Sequence, residues 1–194
     1  MKILIIAQGR SGSNNLSTAL SKSLDIPVVW TKLLDSNNFE HSSFVKVTSS
    51  HRCILKIHEF QKSNKFQTHY DFLEYCNNEF DHVLFHARAN TLDVGLSLEN
   101  GYSIKDYEWV HTKYTPVVDR PELHRVKFAA ESIANIIEYA YFLNKDVTFY
   151  EELFSGNKEL INNTVKRWGI DLNLLNYDIL YRYLDPKLKY TNRL

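Results

Sequence analysis

The stretch that most constrains the fold lies near the start of the chain, at residues 2–20, and reads KILIIAQGRSGSNNLSTAL. Its apolar, β-branched residues 3–7 predict a buried strand. A turn over residues 8–13 follows, in which the two glycines, Gly9 and Gly12, are free to adopt positive φ. Apolar residues then recur at helical spacing, with Ser13 or Asn14 placed to cap the first turn. The stretch therefore predicts a strand, a glycine turn and a helix.

A strand, turn and helix of this kind can bind an anion. The N–H groups at the helix start point toward one position, and the helix dipole favours negative charge there. Arg10 adds a positive charge, and Ser11 and Ser13 add hydroxyl donors. The turn matches neither the GxxxxGK[ST] nor the GxGxxG motif, and ordinary βα turns share its composition. Its arginine favours a phosphate or sulfate site, because reversing the chain does not require a long charged side chain.

Length and charge narrow the class of protein. The 194 residues suit a single domain spanning 1–194. The 23 basic and 23 acidic side chains balance, so we expect no nucleic-acid partner. No apolar run is long enough for a signal peptide or a membrane span, which predicts a soluble, cytoplasmic protein with no membrane partner. Cys53 and Cys76 lack metal-ligand spacing and are expected to be reduced, buried thiols.

Strand and helix patterns alternate along the rest of the chain. Strands are expected at residues 26–30, 53–57, 82–86 and 146–150, and helices at 66–80, 90–99, 121–143 and 157–168. The polar residues 31–50 are expected to form an irregular binding or lid segment, whereas 103–118 and the tail from 171 have no clear period. The alternation predicts an α/β fold of three layers, a mainly parallel sheet flanked by helices.

For several helices, the sequence also predicts which residues share one face and which residue ends the helix. Tyr70, Leu73 and Cys76 are expected on one face of the helix over 66–80. Gly101 and Gly169 are expected to stop the helices that precede them. The longest helix, opened by Pro121, is expected to bury an apolar stripe made of Leu123, Val126, Ala129, Ile133, Ile136, Ile137, Ala140 and Leu143.

Because ligands of parallel α/β sheets bind at the carboxyl ends of the strands, four side chains are expected along one edge: Arg10, His58, Arg88 and Tyr150. The segments around them resemble, in the same order, motifs of the sulfotransferase superfamily. The first loop, GRSGSNNL, is similar to the family's 5′-phosphosulfate loop, and LKIHE resembles its Lys-x-His segment. HVLFHARANTLDVGLSLENG is similar to its 3′-phosphate segment, and DVTFYEEL to its late strand. NNTVKRWGI resembles the helix that follows, so the resemblance reaches residue 170.

This resemblance implies a P-loop-like, sulfotransferase-type fold and a reaction. The chain would move a sulfonate group from 3′-phosphoadenylyl sulfate (PAPS) to a hydroxyl or amine of a small-molecule or carbohydrate acceptor. Adenosine 3′,5′-bisphosphate would be the product, and the reaction needs no metal. Arg88 and Ser97 are nine positions apart, where the commonest family pattern has eight. The implied donor-binding residues are Arg10, Ser11, Gly12, Ser13, Asn14, Asn15, Arg88, Ser97 and Tyr150.

The resemblance also implies catalytic roles. Arg10 suits the leaving phosphate, because a guanidinium is always charged and binds phosphate bidentately. His58 is the expected base, since imidazole can accept a proton near neutral pH, and Lys56 is expected to hold the sulfonate. Glu59 is the rival base, and His51 also stays open.

Two other functions stay open on the sequence. A P-loop-like nucleotide-binding or kinase-type protein would bind ATP with magnesium, although the missing Walker lysine counts against it. A non-catalytic module could bind PAPS or the bisphosphate without transferring sulfonate. The sequence predicts neither the identity of the acceptor nor the oligomeric state.

Overall fold

The computed structural model of the chain describes residues 1–103 and 120–185. Nearly all of the unassigned segment 103–118 lies outside these residues, as does the end of the tail. In chain order the elements are β1 (Lys2–Ala7), α1 (Ser13–Leu24), β2 (Val28–Val29), β3 (Asn38–Phe39), α2 (His41–Thr48), β4 (Cys53–His58), β5 (Lys62–Ser63), α3 (His69–Glu79), β6 (His82–Ala87), α4 (Thr91–Ser103), α5 (Leu123–Phe142), β7 (Val147–Phe149), α6 (Tyr150–Leu153), α7 (Lys158–Lys166), the 3₁₀ helix η1 (Leu172–Leu174) and α8 (Tyr177–Leu184).

The main sheet has five strands in the order β2-β4-β1-β6-β7. Every neighbouring pair in it is parallel, and a separate pair of short strands, β3 and β5, is parallel as well. Ala7 at the end of β1 lies level with His58 at the end of β4 and with His86 on β6. The expected α/β class, with a mainly parallel sheet flanked by helices, is confirmed.

Strand β1 is buried on both faces, which explains its unbroken apolar run. Because side chains alternate across a strand, Ile3 and Ile5 face a core formed with α1, α7 and α8, whereas Leu4 and Ile6 face a core formed with α2, α3 and α5. Residues 3–7 are all at most 2% exposed. The strand therefore anchors both halves of the hydrophobic core.

The strand order changes direction at β1. Strands β4 and β2 lie to one side of it, and β6 and β7 lie to the other. In open parallel sheets, ligands bind outside the carboxyl ends of the strands at such a switch point. The crevice between the ends of β1 and β6 is therefore where a ligand is expected, and it lies between the loop that contains Arg10 and the turn that contains Arg88.

Residues 31–50 are more ordered than expected, because they contain β3 and α2. Phe39 and Phe44 are fully buried, and their ring centroids are 5.4 Å apart. The ring of Phe72 on α3 lies 5.5 Å from that of Phe39. A stacked pair of rings and a third ring packed edge-on against it thus fix this polar segment, which has too few apolar residues for a periodic pattern to predict its structure.

Tyr70, Leu73 and Cys76 lie on α3, where Leu73 and Cys76 are buried together with Phe72, and Tyr70 is 38% exposed with its hydroxyl donating to Glu138 on α5. The expected helix stop at Gly101 was wrong. Helix α4 continues through Gly101, since a glycine inside a helix costs only about 1 kcal/mol relative to alanine. The expected free, buried thiols Cys53 and Cys76 are confirmed.

The longest helix, α5, begins at Leu123, two residues after Pro121, and buries only part of the expected stripe. Its buried residues are Ala129, Ser132, Ile136 and Ala140, whereas Leu123 is 83% and Ile137 is 48% exposed. A polar residue, Ser132, lies at the centre of the buried face because it donates a hydrogen bond to a buried carboxylate.

The tail from residue 171 forms two helical elements, η1 and α8, although its sequence shows no clear period. Helix α8 packs on α1, and Leu180 and Leu184 are fully buried in the core on that side of the sheet. Asn176 caps α8 with its side chain, and its carbonyl accepts a hydrogen bond from Ser23 Oγ at 2.9 Å. Helix α7 ends as expected near Gly169, which has a positive φ of 69°. Within residues 1–103 and 120–185, no helix has both the length and the hydropathy to cross a bilayer.

Helix α8 should contribute measurably to stability. Leu180→Ala removes a side chain that is 0% exposed, and we expect a loss of about 2–5 kcal/mol in the free energy of unfolding. Leu174→Ala is the matched control, because Leu174 is 53% exposed and should lose less than about 0.5 kcal/mol. Urea unfolding monitored by circular dichroism measures both values. Equal losses in the two variants would contradict the docking of α8.

Candidate functional site

The loop after β1 adopts an unusual backbone. Arg10 has φ of 64° and Gly12 has φ of 82°, so Arg10 and Gly12, rather than the two glycines, occupy the left-handed positions of the loop. A side chain in this region costs roughly 1–2 kcal/mol, and such strain concentrates at functional sites. Glycine is required at position 12 for a second reason, since a Cβ there would lie 2.9 Å from ring carbons of Tyr150.

Helix α1 begins without a side-chain cap. Its N-cap is Gly12, so the expectation that Ser13 or Asn14 caps the helix was wrong, and both are its first two residues. The N–H groups of Asn15 and Leu16 already donate to the carbonyl of Gly12 at 2.9 and 3.1 Å. An uncapped helix start with no acidic residue in its first turn presents partial positive charge to the crevice.

Ser11 stabilises the loop after β1 through buried hydrogen bonds. It is fully buried, and its hydroxyl donates to the carbonyl of Gln8 at 2.7 Å. The carbonyl of Ser11 lies 2.8 Å from Nε2 of His86, whose Nδ1 lies 3.1 Å from the carbonyl of Thr148. Burial lowers the pKa of His86 to about 4, so the neutral ring donates to one of these carbonyls at a time. Ser11 and His86 thus tie the loop to β6 and β7.

Arg10 reaches across the crevice to α4. Its Nε donates to Oγ of Ser97 at 3.0 Å. The first loop and the helix that follows Arg88 are therefore in direct contact, although the two residues are 87 positions apart. This contact joins two residues for which the family resemblance implies roles at opposite ends of one donor.

Arg88 lies beside the same loop. Its guanidinium carbon is 4.6 Å from the centre of the Tyr150 ring, and its Nη2 is 2.5 Å from Oδ2 of Asp93. The side chain of Arg88 is 19% exposed, and its Nε is buried with no hydrogen-bond partner among the described residues. A buried, unpaired donor on a charged group is costly, and it indicates a position where an anionic acceptor is expected.

Side chains from distant elements hold the turn at Arg88. The backbone N–H of Arg88 donates to Oε1 of Gln8 at 2.9 Å. The N–H groups of Ala89 and Asn90 each donate to the Glu151 carboxylate at 3.1 Å. Gln8 was not predicted as a site residue, although its place directly after an apolar strand was a usable signal. The turn that carries Arg88 is therefore fixed from two sides.

Lys56 and His58 form a second polar group, at the end of β4. Nζ of Lys56 is 3.2 Å from Nε2 of His58, and the imidazole stacks on Phe60 at 5.4 Å. Burial lowers the pKa of Lys56 to about 8. Burial and, to a smaller extent, the charge of Lys56 lower the pKa of His58 to about 4. The imidazole is therefore neutral at pH 7, and the ammonium of Lys56 donates to its Nε2.

Glu59, the next residue, is buried against α5. The hydroxyl of Ser132 donates to its Oε1, and its Oε2 is buried with no hydrogen-bond partner among the described residues. Burial raises the pKa of Glu59 to about 7, although the Ser132 hydrogen bond opposes that rise. A carboxyl group with this pKa is half ionised near neutral pH, which suits proton transfer.

The remaining candidate base lies elsewhere. The carbonyl of His51 accepts a hydrogen bond from the N-terminus of Met1 at 2.7 Å. Residue 51 precedes β4 and Met1 precedes β1, so both lie at the amino edge of the sheet. His51 is therefore on the opposite edge from Arg10 and Arg88.

No family model and no curated protein matches the chain. Residues 1–103 and 120–185 contain no group of three or more His, Cys, Asp or Glu side chains arranged to hold a metal ion. The crevice, with its two arginines and its uncapped helix start, is the part of the described structure that indicates a function.

The raised pKa of Glu59 predicts a pH-dependent stability. In the unfolded chain the carboxyl has its ordinary pKa of 4.5, and in the folded protein about 7. Its contribution to stability is full below pH 4.5 and is lost as the pH rises through 7. We therefore expect Glu59→Gln to gain stability relative to the wild type between pH 4.5 and 8, by up to about 3 kcal/mol.

Urea unfolding at several pH values measures this difference. The lowered pKa of His58 acts in the opposite direction, but it is common to the wild type and the variant. Glu74→Gln is the matched control, because Glu74 is exposed on α3 and the substitution should shift the curve by less than about 0.5 kcal/mol. Parallel curves for the wild type and Glu59→Gln would show that Glu59 titrates normally.

Proposed function

We propose that the chain is a PAPS-dependent sulfotransferase that transfers a sulfonate group to a hydroxyl or amine of a small-molecule or carbohydrate acceptor. One observation carries the proposal: Arg10 contacts Ser97 at 3.0 Å, while Arg88 stacks on Tyr150, which in turn packs on Gly12. The four positions implied by the family resemblance thus converge on one crevice at the switch point of the sheet, where ligands of such sheets bind.

The loop after β1 would hold the 5′ end of the donor. The uncapped start of α1 offers the N–H groups of Ser13 and Asn14 to an anion. Ser11 holds the loop in shape with its buried hydroxyl, so its contribution is structural. Arg10 adds the formal charge, and because its backbone is held in a left-handed conformation, its side chain leaves the loop toward α4.

Arg88, Ser97 and Tyr150 would hold the other end. The unpaired Nε of Arg88 is the donor best placed for a 3′-phosphate. The Tyr150 ring would support the Arg88 guanidinium from one side, while its other face stacks on Phe154 with ring centroids 4.4 Å apart. Ser97 would exchange its hydrogen bond with Arg10 for one with the donor. Arg10 would then direct its guanidinium to the 5′ end of the donor.

Sulfonate transfer proceeds by in-line attack of the acceptor on sulfur, with departure of the nucleotide phosphate. Negative charge grows on the leaving and peripheral oxygens, as it does in phosphoryl transfer, so fixed positive groups supply most of the catalysis. Arg10 would stabilise the leaving phosphate, and Lys56 would approach the sulfonate from β4. Arg10 follows the end of β1, and Lys56 lies two residues before the end of β4.

The proton of the acceptor would pass to Glu59 rather than to His58. A useful base has a pKa near the working pH, and burial gives Glu59 a pKa of about 7 but His58 a pKa of about 4. Nε2 of His58 also accepts from Lys56, whereas Oε2 of Glu59 has no partner among the described residues. His58 as the base stays a prediction, and these contacts favour its rival.

A second candidate function is a module that binds the nucleotide without catalysis. The weak basicity of His58 and its bond to Lys56 favour it, because both reduce the power of the expected base. The nucleotide crevice would be the same in this case. Binding of PAPS without transfer of sulfonate to any of a broad set of acceptors would distinguish the module from the enzyme.

The proposed function predicts tight binding of adenosine 3′,5′-bisphosphate that depends on Arg88. In isothermal titration calorimetry, Arg88→Ala should weaken binding about tenfold to hundredfold, because a hydrogen bond between two charged groups is lost. Arg52→Ala is the matched control, since Arg52 donates to carbonyls of Leu24 and Asp25 near the amino edge of the sheet. It should change affinity less than about twofold.

A wild-type protein that does not bind the bisphosphate would overturn the proposal. Tighter binding of ATP with magnesium than of the bisphosphate would instead support the kinase-type alternative. Equal effects of Arg88→Ala and Arg52→Ala would show that binding occurs away from the crevice.

The ion pair between Asp93 and Arg88 predicts that removing the charge of Asp93 raises the affinity for the bisphosphate. The Asp93 carboxylate occupies Arg88 at 2.5 Å and is 45% exposed, so an incoming 3′-phosphate competes with it. Asp93→Asn should strengthen binding of the bisphosphate about threefold to tenfold, because an exposed ion pair no longer has to break and a like charge is removed. Asp178→Asn, which also replaces an exposed aspartate in a first helical turn, should leave affinity unchanged. Weaker binding by Asp93→Asn would contradict the competition.

A further inference from the structure

We propose that Gln8 determines selectivity for nucleotides with a 3′-phosphate, by fixing the spacing between the first loop and Arg88. The inference rests on the proposed function, because it concerns the same crevice. Gln8 belongs to neither of the two groups that would touch the nucleotide. It acts through its neighbours and is therefore a positioning residue.

Gln8 is 1% exposed and uses each of its polar groups. Its backbone N–H donates to the carbonyl of His86 at 3.0 Å, and its carbonyl accepts from the N–H of Ser11 at 3.4 Å and from the Ser11 hydroxyl at 2.7 Å. Its side-chain Oε1 accepts from the N–H of Arg88 at 2.9 Å, and its Nε2 donates to the carbonyl of Ala129 on α5 at 2.9 Å.

The side-chain amide has only one workable orientation. The N–H of Arg88 can only donate, so it requires the amide oxygen, and the carbonyl of Ala129 can only accept, so it requires the amide nitrogen. A flipped amide would lose both bonds. Gln8 is thus locked at both ends of its side chain, which is what a rigid spacer between two elements requires.

The position of Gln8 explains why the distance between the first loop and Arg88 depends on this residue. It follows β1 directly, beside the end of β6, at the switch point where the donor would lie. Its main chain holds the loop that binds one end of the nucleotide, and its side chain holds the backbone of the residue that binds the other end. A ligand that spans both sites senses this distance, whereas a ligand that uses the loop alone does not.

Two nucleotides distinguish a ligand that spans both sites from a ligand that uses the loop alone. Adenosine 3′,5′-bisphosphate spans both sites, and adenosine 5′-monophosphate reaches only the loop. Gln8→Met keeps the length of the side chain but removes both of its hydrogen bonds. We expect the preference of the wild type for the bisphosphate to fall about tenfold in this variant, with the affinity for the monophosphate changed less than about twofold.

Gln61→Met is the matched control, because Oε1 of Gln61 accepts from the N–H of His58 at 2.9 Å in the corresponding turn after β4. It should keep the full preference. An unchanged preference in Gln8→Met, or equal loss of both affinities, would overturn the role of Gln8 alone. A wild type that binds neither nucleotide would overturn the proposed function itself.

Hydrogen exchange of the wild type tests the same contact without a variant, should Gln8→Met fail to fold. The N–H of Arg88 starts a turn rather than a helix or strand, so its protection depends on the bond to Gln8. We expect this amide to exchange as slowly as those of β6 and to slow further with the bisphosphate. Fast exchange that the bisphosphate does not slow would overturn the proposal.

Discussion

The placement of β1 between β4 and β6 is the constraint on which the rest of the structure depends. Its parallel pairing with both neighbours sets Ala7 and His58, at the ends of β1 and β4, level with His86, one residue before the end of β6. Its apolar side chains supply both halves of the core. Because the strand order changes direction there, the loop after β1 opens onto the crevice. A different register would separate the loop from the turn at Arg88.

Several polar side chains near the carboxyl edge of the sheet are almost completely buried, whereas most polar side chains of proteins are exposed. Gln8, Glu59 and His86 are each at most 3% exposed, and each is held by hydrogen bonds to elements far away in the chain. Burial shifts the pKa of Glu59 upward and that of His86 downward because it penalises the charged form of each. A folded protein retains such costly groups when they position or perform chemistry.

Local patterns predicted the framework, whereas contacts between distant residues required the structure. The apolar run of β1 can be recognised from a few consecutive residues of the sequence. The same is true of the glycine turn with Arg10 and of the strand that precedes Arg88. The bond from Gln8 to Ala129 joins residues 121 positions apart, and the bond from Ser132 to Glu59 spans 73. No periodicity encodes such pairs, because they follow from how α5 packs on the sheet.

The central claim is that the first loop and Arg88 hold opposite ends of one nucleotide, and a crystal structure with adenosine 3′,5′-bisphosphate tests it most directly. The account predicts the 5′-phosphate at the first turn of α1 and the 3′-phosphate on the guanidinium of Arg88, with the bond between Arg10 and Ser97 broken. A nucleotide bound elsewhere, or one whose 3′-phosphate points away from Arg88, would contradict it.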